Sequence, residues 1–262
     1  MQFRPCIDIH NGAVKQIVGA TLKDQGDSAN ENFVSTNEAD YYARLYKEHD
    51  LKGGHVILLN ASDSPYYAKT KAQALKALAA YPGGLQVGGG ITAENAKEFI
   101  DAGASHVIVT SYVFADGKIQ MDRLCALRDA VGREHIVLDV SCKRFFDPEG
   151  SDAYFVMTDR WQKKSHVEVN PALLTKLSDY CDEYLIHAVD VEGKKNGIES
   201  NLLRLLSPFS LCPITYAGGV HSYDDIKEIK TAGSDRINVT IGSALSIFGG
   251  DLEIDEIVSL CR

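Results

Sequence analysis

The chain has 262 residues, 45% hydrophobic and 24% charged, enough apolar material for a large core and too little bias for disorder. Its formal net charge of −9 argues against a nucleic-acid or anionic-membrane surface, so neither partner is expected. No stretch approaches the roughly 18 apolar residues of a membrane span, and the first expected strand opens so near Met1 that no signal peptide is expected. The six cysteines have no paired metal spacing, which reads as reduced thiols in a cytoplasmic protein without a metal.

Taken in order, the chain alternates expected strands and helices with no dividing linker. Arg4 to Ile9 is the first strand. The polar segment from His10 to Asn37, with Gly12, Gly19 and Gly26, has no clear period and reads as a lid. Tyr41 to His49 is the first helix, His55 to Asn60 the second strand, and 66–80, rich in Ala, Lys and Leu, the second helix. The third strand ends at Gly88-Gly89-Gly90, a helix follows over 93–102, and His106 to Thr110 is the fourth strand, with Met121 to Val131 as the fourth helix. In the second half, strands are expected at 135–140, 184–189, 213–217 and 236–241, and helices near 171–180, 199–206, 222–232 and 252–260.

The stretches Leu85-Gln86-Val87-Gly88-Gly89-Gly90-Ile91 and Tyr216-Ala217-Gly218-Gly219-Val220 share one pattern: strand, tight glycine turn, helix. Glycine lets a ligand approach the main chain, and the amides and dipole at a helix start favour an anion such as phosphate. The match extends along the chain at an offset of about 130 residues, half its length. Asp8 in the first strand faces Asp139 in the fifth, His55–Asn60 faces Leu185–Asp190, Gly103 faces Gly233, and Thr110-Ser111 faces Gly242-Ser243. A doubly wound open sheet could use the same elements, but two four-unit repeats favour closure, because an open sheet would give its edge strands unlike surroundings. The expected architecture is an α/β single-domain (β/α)8 barrel over 1–262, with half-barrels of approximately 1–131 and 132–262, close to the usual size of about 250 residues.

In such a barrel the functional site lies where strands end and loops begin. Asp8, Asp139, both glycine turns, Ser111 and Ser243 fall at such ends. Two anion sites, Gly89, Gly90 and Ser111 on one side and Gly218, Gly219, Gly242 and Ser243 on the other, would bracket a small-molecule bisphosphate. The two aspartates would lie at its middle, one taking a proton from carbon while the other, kept protonated by burial or a neighbouring charge, gives one. Each residue has a plainer reading. A strand-end Asp can be a helix cap and a Gly-Gly turn only a chain reversal; the paired positions across the repeat favour chemistry. His10 either touches substrate or starts the lid, His187 fills a polar position inside the barrel, and Lys163, Lys164, Lys194 and Lys195 are solvated loop charges.

The stretches Cys6-Ile7-Asp8-Ile9-His10-Asn11-Gly12 with Val14-Lys15-Gln16, Val87 to Ile91, and Leu138-Asp139-Val140-Ser141-Cys142 carry a family likeness. So do Asp159-Arg160-Trp161-Gln162, His187-Ala188-Val189-Asp190-Val191-Glu192-Gly193, Ala217 to Val220, and Gly242-Ser243-Ala244-Leu245. In order and over most of its length, the chain resembles the phosphoribosylformimino-aminoimidazole carboxamide ribotide isomerases of histidine biosynthesis, in detail their eukaryotic branch. The resemblance implies an Amadori aminoaldose-to-aminoketose rearrangement without metal or organic cofactor. It implies Asp8 as general base, Asp139 as general acid, Trp161 covering the substrate's imidazole, and the glycine turns with Ser111 and Ser243 as phosphate cradles. Many bacterial members have an aspartate near the end of strand 2 and a threonine in strand 6. Here stand Leu58-Leu59-Asn60 and Ala188-Val189, so the threonine's role does not transfer, and Asp190 is its candidate substitute. A cyclase of the imidazole glycerol phosphate synthase type and a catalytically silent phosphate-binding barrel are the alternatives. The Asp159–Gln162 loop and the lack of a glutaminase segment in these residues favour the isomerase over the first; intact Asp8 and Asp139 speak against the second. A monomer is expected.

Overall fold

Eight short, largely apolar strands run parallel and in chain order: Cys6–His10, Gly54–Leu58, Leu85–Gly88, His106–Val109, Ile136–Asp139, Glu183–His187, Ile214–Ala217 and Ile237–Val239. The computed structural model describes residues 1–17, 21–22, 29–146, 152–158, 161–192 and 197–262; Gly19, Gly26, Asp159, Arg160, Gly193, Lys194 and Lys195 lie outside the described residues. The sheet closes on itself: Phe3 bridges Val239 in parallel, Arg4 N donates to Val239 O at 2.8 Å, and Val239 N donates to Gln2 O at 3.0 Å. Closure satisfies both edge strands, which is how a parallel sheet with apolar residues on both faces avoids exposed backbone. The result is a (β/α)8 barrel.

Helices pack outside the ring. They are α1 (Ala39–Glu48), α2 (Tyr67–Ala80), α3 (Ala96–Asp101), α4 (Met121–Val131), α5 (Pro171–Leu177), α6 (Ser200–Leu206), α7 (Tyr223–Ala232) and α8 (Ile254–Cys261). Local chemistry sets their limits. Asn170 accepts from Leu173 N ahead of Pro171 at the start of α5, Ser222 and Asp225 form a reciprocal capping box on α7, and Gly132 at φ 83° ends α4. In α1, Ala39, Tyr42, Ala43 and Tyr46 form the buried stripe that turns the helix onto the sheet, and the Tyr46 hydroxyl donates to Cys6 O at 2.9 Å. The larger core lies between sheet and helices, around Tyr42, Tyr46, Phe99, Tyr184 and Tyr216.

Inside the ring, side chains form layers, because alternate residues of a strand point inward. Glu183 makes the lower layer, accepting from Arg4 Nη1, from Gln86 Nε2 at 2.7 Å and from the Thr215 hydroxyl. Above it, Ile57, Ile108, Val137, Leu185 and Ala217 fill an apolar layer separate from the outer core. The next inward positions, Asp8, Asp139 and His187, stand above that layer at the strand C-terminal ends.

Two excursions depart from strict alternation. After the first strand, Ala13–Ile17 turns back antiparallel to it and pairs with Glu31–Val34, so part of the segment expected as an unstructured lid is a ribbon. After the fifth, Cys142–Phe146, Asp152–Thr158 and Lys163–Glu168 form a separate antiparallel sheet that the sequence did not announce. Both leave equivalent points of the repeat and both reach over the barrel mouth. Of the helices, α3 begins three residues later than expected and α5 ends three residues earlier, since the preceding Asn95 and following Ser178 belong to turns.

Candidate active site

A cavity of about 300 Å³ opens at the C-terminal ends of the strands. Asp8, Asp139, Ser111, Trp161, Gly218, Gly219, Gly242 and Ser243 all line it. Among the groups the structure brings there that were not expected at the site are Gln16 from the ribbon, His187 from the sixth strand, and Glu192 from the loop beyond it.

The two aspartates sit in opposite electrostatic states. Burial is the largest influence on Asp8 and, with the nearby Glu192 carboxylate, pushes its pKa from 3.8 up to about 7; the charge of His187 and a long 3.5 Å hydrogen bond from Gln16 Nε2 offset this only in part. Burial would raise Asp139 as well. There, however, the His187 charge and three donors outweigh it and hold the carboxyl below its usual range. His187 Nδ1 lies 3.1 Å and Ser141 Oγ 2.9 Å from Oδ1, while Thr110 Oγ1 donates to Oδ2 at 3.0 Å. For His187, burial acts downward, but Asp139, Glu192 and Asp8 together bring it up to about 9. His55, lining the cavity deeper in the ring, is driven down to about 3, chiefly by burial, and is neutral. Burial raises Glu192 too.

Trp161 caps this group from the turn before Lys163–Glu168. Its backbone is left-handed, φ 67°, and its ring meets the His187 ring at a centroid distance of 5.8 Å and a tilt of 43°. Met157 and Thr158 of the same antiparallel sheet line the cavity beside it, and Gln16, Ile17 and Leu22 from the first excursion form the other side of the roof. Among the described lining residues there is no Lys or Arg; the groups among them that can bind an anion are main-chain amides, hydroxyls and imidazole.

Four expected residues stand elsewhere. Gly89 and Gly90 follow the third strand at φ 100° and 70°, outside the cavity lining, and Gly90 is exposed at the rim. A Cβ at Gly89 would sit 2.0 Å from Leu58 O, so that glycine is required by chain packing alone. His10 is fully buried and pairs in register with Ala13 at the base of the ribbon; it does not line the cavity. Asp190 is a brace: it accepts from Arg144 N at 2.9 Å and lies 3.7 Å from Lys143 Nζ, tying the sixth strand's loop to the antiparallel sheet. It is not among the described residues that line the cavity. The start of α7 is also not an open anion site. His221 N and Ser222 N already donate to Asp225 at 3.0 and 2.9 Å, which leaves Gly218, Gly219, Gly242 and Ser243 as the cradle on that side. His187, expected as a polar filler, is at the centre of the site. Its position two residues past the inward Leu185 was the available signal.

The family model for histidine biosynthesis proteins matches residues 2–252. The chloroplastic 1-(5-phosphoribosyl)-5-((5-phosphoribosylamino)methylideneamino)imidazole-4-carboxamide isomerase of Medicago truncatula is 52% identical over 263 residues, covering 99% of this chain and 81% of that one. The isomerases of the same name from Neurospora crassa and Saccharomyces cerevisiae are 44% and 40% identical, covering 95% and 96% of this chain and 93% and 94% of theirs. No helix among the described residues is long and apolar enough to cross a membrane. With a closed eight-stranded ring, paired aspartates at its mouth and a match running almost end to end, the chain belongs to the histidine biosynthesis protein family.

Proposed function

We propose that the protein isomerises 1-(5-phosphoribosyl)-5-((5-phosphoribosylamino)methylideneamino)imidazole-4-carboxamide, opening its aminoaldose ribose and rearranging it to the aminoketose. The observation that carries this reading is the pair Asp8 and Asp139 lining one cavity, one carboxyl raised to about 7 and the other held below its usual range. A base near neutrality removes a carbon-bound proton most effectively, and Asp8 has that character. Asp139 and the groups bonded to it form the opposite, proton-donating side. Gly218, Gly219, Gly242 and Ser243 hold one phosphate, and Ser111 with the rim glycine Gly90 the other. Trp161 covers the flat imidazole of the substrate.

The reaction needs proton transfers and charge stabilisation only, so the residues of the cavity suffice. The protein works as a single (β/α)8 domain of two half-barrels, as a monomer, in the cytoplasm. Incubation of purified protein with the aminoaldose bisphosphate, followed by the absorbance change of ketose formation, tests the reading. Turnover abolished by either Asp8→Asn or Asp139→Asn supports it. Absence of turnover by the native protein, or conversion only of the ketose product with ammonia as a cyclase would do, rejects it.

A further inference from the structure

We propose that His187 is a catalytic residue: its imidazolium, seated on the Asp139 carboxylate, gives the proton that opens the ribose ring. This rests on the isomerase reading and reassigns the acid within it. The geometry around Asp139 is the reason. Both of its oxygens are occupied by donors, Oδ1 by His187 Nδ1 and Ser141 Oγ and Oδ2 by Thr110 Oγ1. A carboxylate that accepts from three donors is stabilised as the anion and is a poor carrier of a proton near neutrality. The nearest group that can carry one is the imidazole it accepts from. His187 spends Nδ1 on Asp139, Nε2 makes no hydrogen bond among the described residues, and the ring lines the cavity.

The groups facing this ring agree with a charged imidazole. Asp139 comes from the fifth strand, Asp8 from the first, and Glu192 from the loop after the sixth; all three favour the cation. His55 from the second strand is the opposing base and is neutral. The Trp161 ring presents an aromatic neighbour at 5.8 Å, which also favours a cation.

The chemistry balances with two groups. The His187 Nε2 proton goes to the ribose ring oxygen; the bond from C1 to that oxygen breaks with its electron pair on oxygen, and the substrate nitrogen's lone pair forms a C=N⁺ bond. Asp8 then takes the C2 proton, whose bonding pair forms C1=C2 while the C=N⁺ pair returns to nitrogen. Neutral His187 accepts the proton of the C2 hydroxyl as the ketone forms, and protonated Asp8 returns its proton to C1. Both groups end as they began.

His187→Asn is the test, since the Asn amide can donate to Asp139 in place of Nδ1 but has no proton to transfer. In the native protein kcat/KM should rise as Asp8 ionises near pH 7 and fall as His187 loses its proton near pH 9. In the variant kcat should fall by about 10²–10⁴-fold with KM little changed, and the limb near pH 9 should vanish. Full turnover in the variant, or a basic limb that persists, overturns the inference while leaving the isomerase reading intact; an inactive native protein overturns both. Should the variant not fold, NMR titration of the His187 ring in the native protein and in Asp139→Asn decides. A ring that titrates near pH 9 in the native protein, and well below that in the variant, supports the proposal. A ring already neutral at pH 7 in the native protein overturns it.

Discussion

Asp8 and Asp139 occupy matching places in the two halves, yet their neighbours make them different reagents. Asp8 has one long hydrogen bond and a carboxylate beside it; Asp139 has three good donors, one of them an imidazolium. The contrast has a cost in stability that can be measured. Asp8 binds its proton more tightly in the folded than in the unfolded chain, so between pH 3.8 and about 7 folding takes up protons, and stability falls as pH rises through that window. The rise from 3.8 to about 7 corresponds to at most ~4 kcal/mol at pH 8. Asp8→Asn is therefore expected to raise the melting temperature at pH 8, with the gain shrinking to nothing below about pH 4, while turnover falls by about 10²–10⁴-fold. Thermal scans at the two pH values check the sign. A variant less stable than the native protein at pH 8 would refute the electrostatic account of Asp8. His187 runs the other way: its raised pKa contributes stability present below about pH 6.5 and lost as pH rises through about 9. The two aspartates, Ser111, Trp161, Gly218, Gly219, Gly242 and Ser243 could be named from the sequence because they recur across the repeat or stand in recognisable stretches. Gln16 and Glu192 could not be assigned, since each reaches the cavity from a segment whose path is set by contacts distant in sequence; His187 carried one signal, its alternation with the inward Leu185.

At the scale of elements, the glycine turns separate packing from ligand binding. Gly219 has φ 75°, and a Cβ there would meet Gly197 O at 2.0 Å, so Gly219→Ala is expected to destabilise the fold by at least ~2 kcal/mol whatever its effect on substrate. Gly90 has φ 70° but open space around it, so Gly90→Ala carries only the left-handed backbone cost of about 1 kcal/mol. That makes Gly90→Ala the cleaner probe of the second phosphate cradle. The expected outcome is a KM raised about fivefold or more with kcat little changed, because the added Cβ holds a phosphate off the main-chain amide. An unchanged KM would remove Gly90 from the site. The regular strands and helices were legible from hydrophobic period and turn residues, and α4 matches its expected limits. The ribbon after the first strand and the sheet after the fifth were not. Their strands are largely exposed, as Glu31–Val34 and Lys163–Glu168 are, and carry little periodic signal of their own.

For the whole molecule, a buried carboxyl ties distant strands together at the foot of the ring. Glu183 draws together Arg4 before the first strand, Gln86 in the third and Thr215 in the seventh, beneath the apolar layer and away from the cavity. Replacing it alone strands a guanidinium in the barrel, so Glu183→Leu is expected to lower unfolding stability by about 3–5 kcal/mol, read from urea denaturation, with the pH profile of turnover unaltered. The double variant Arg4→Met with Glu183→Leu should recover most of that loss, since a matched apolar pair replaces the ion pair. A double variant as unstable as the single one would mean that the layer is held by something other than this pair. The sequence by itself determined the eight-unit alternation, the twofold repeat and the paired aspartates, because apolar period, turn chemistry and internal likeness are local or repetitive signals. Only the tertiary structure decided that His187 rests on Asp139, that Asp190 braces a sheet, and that Asp8 is the residue with the raised pKa. Those facts depend on which side chains meet inside a closed ring, and burial and charge act through space without regard to position along the chain.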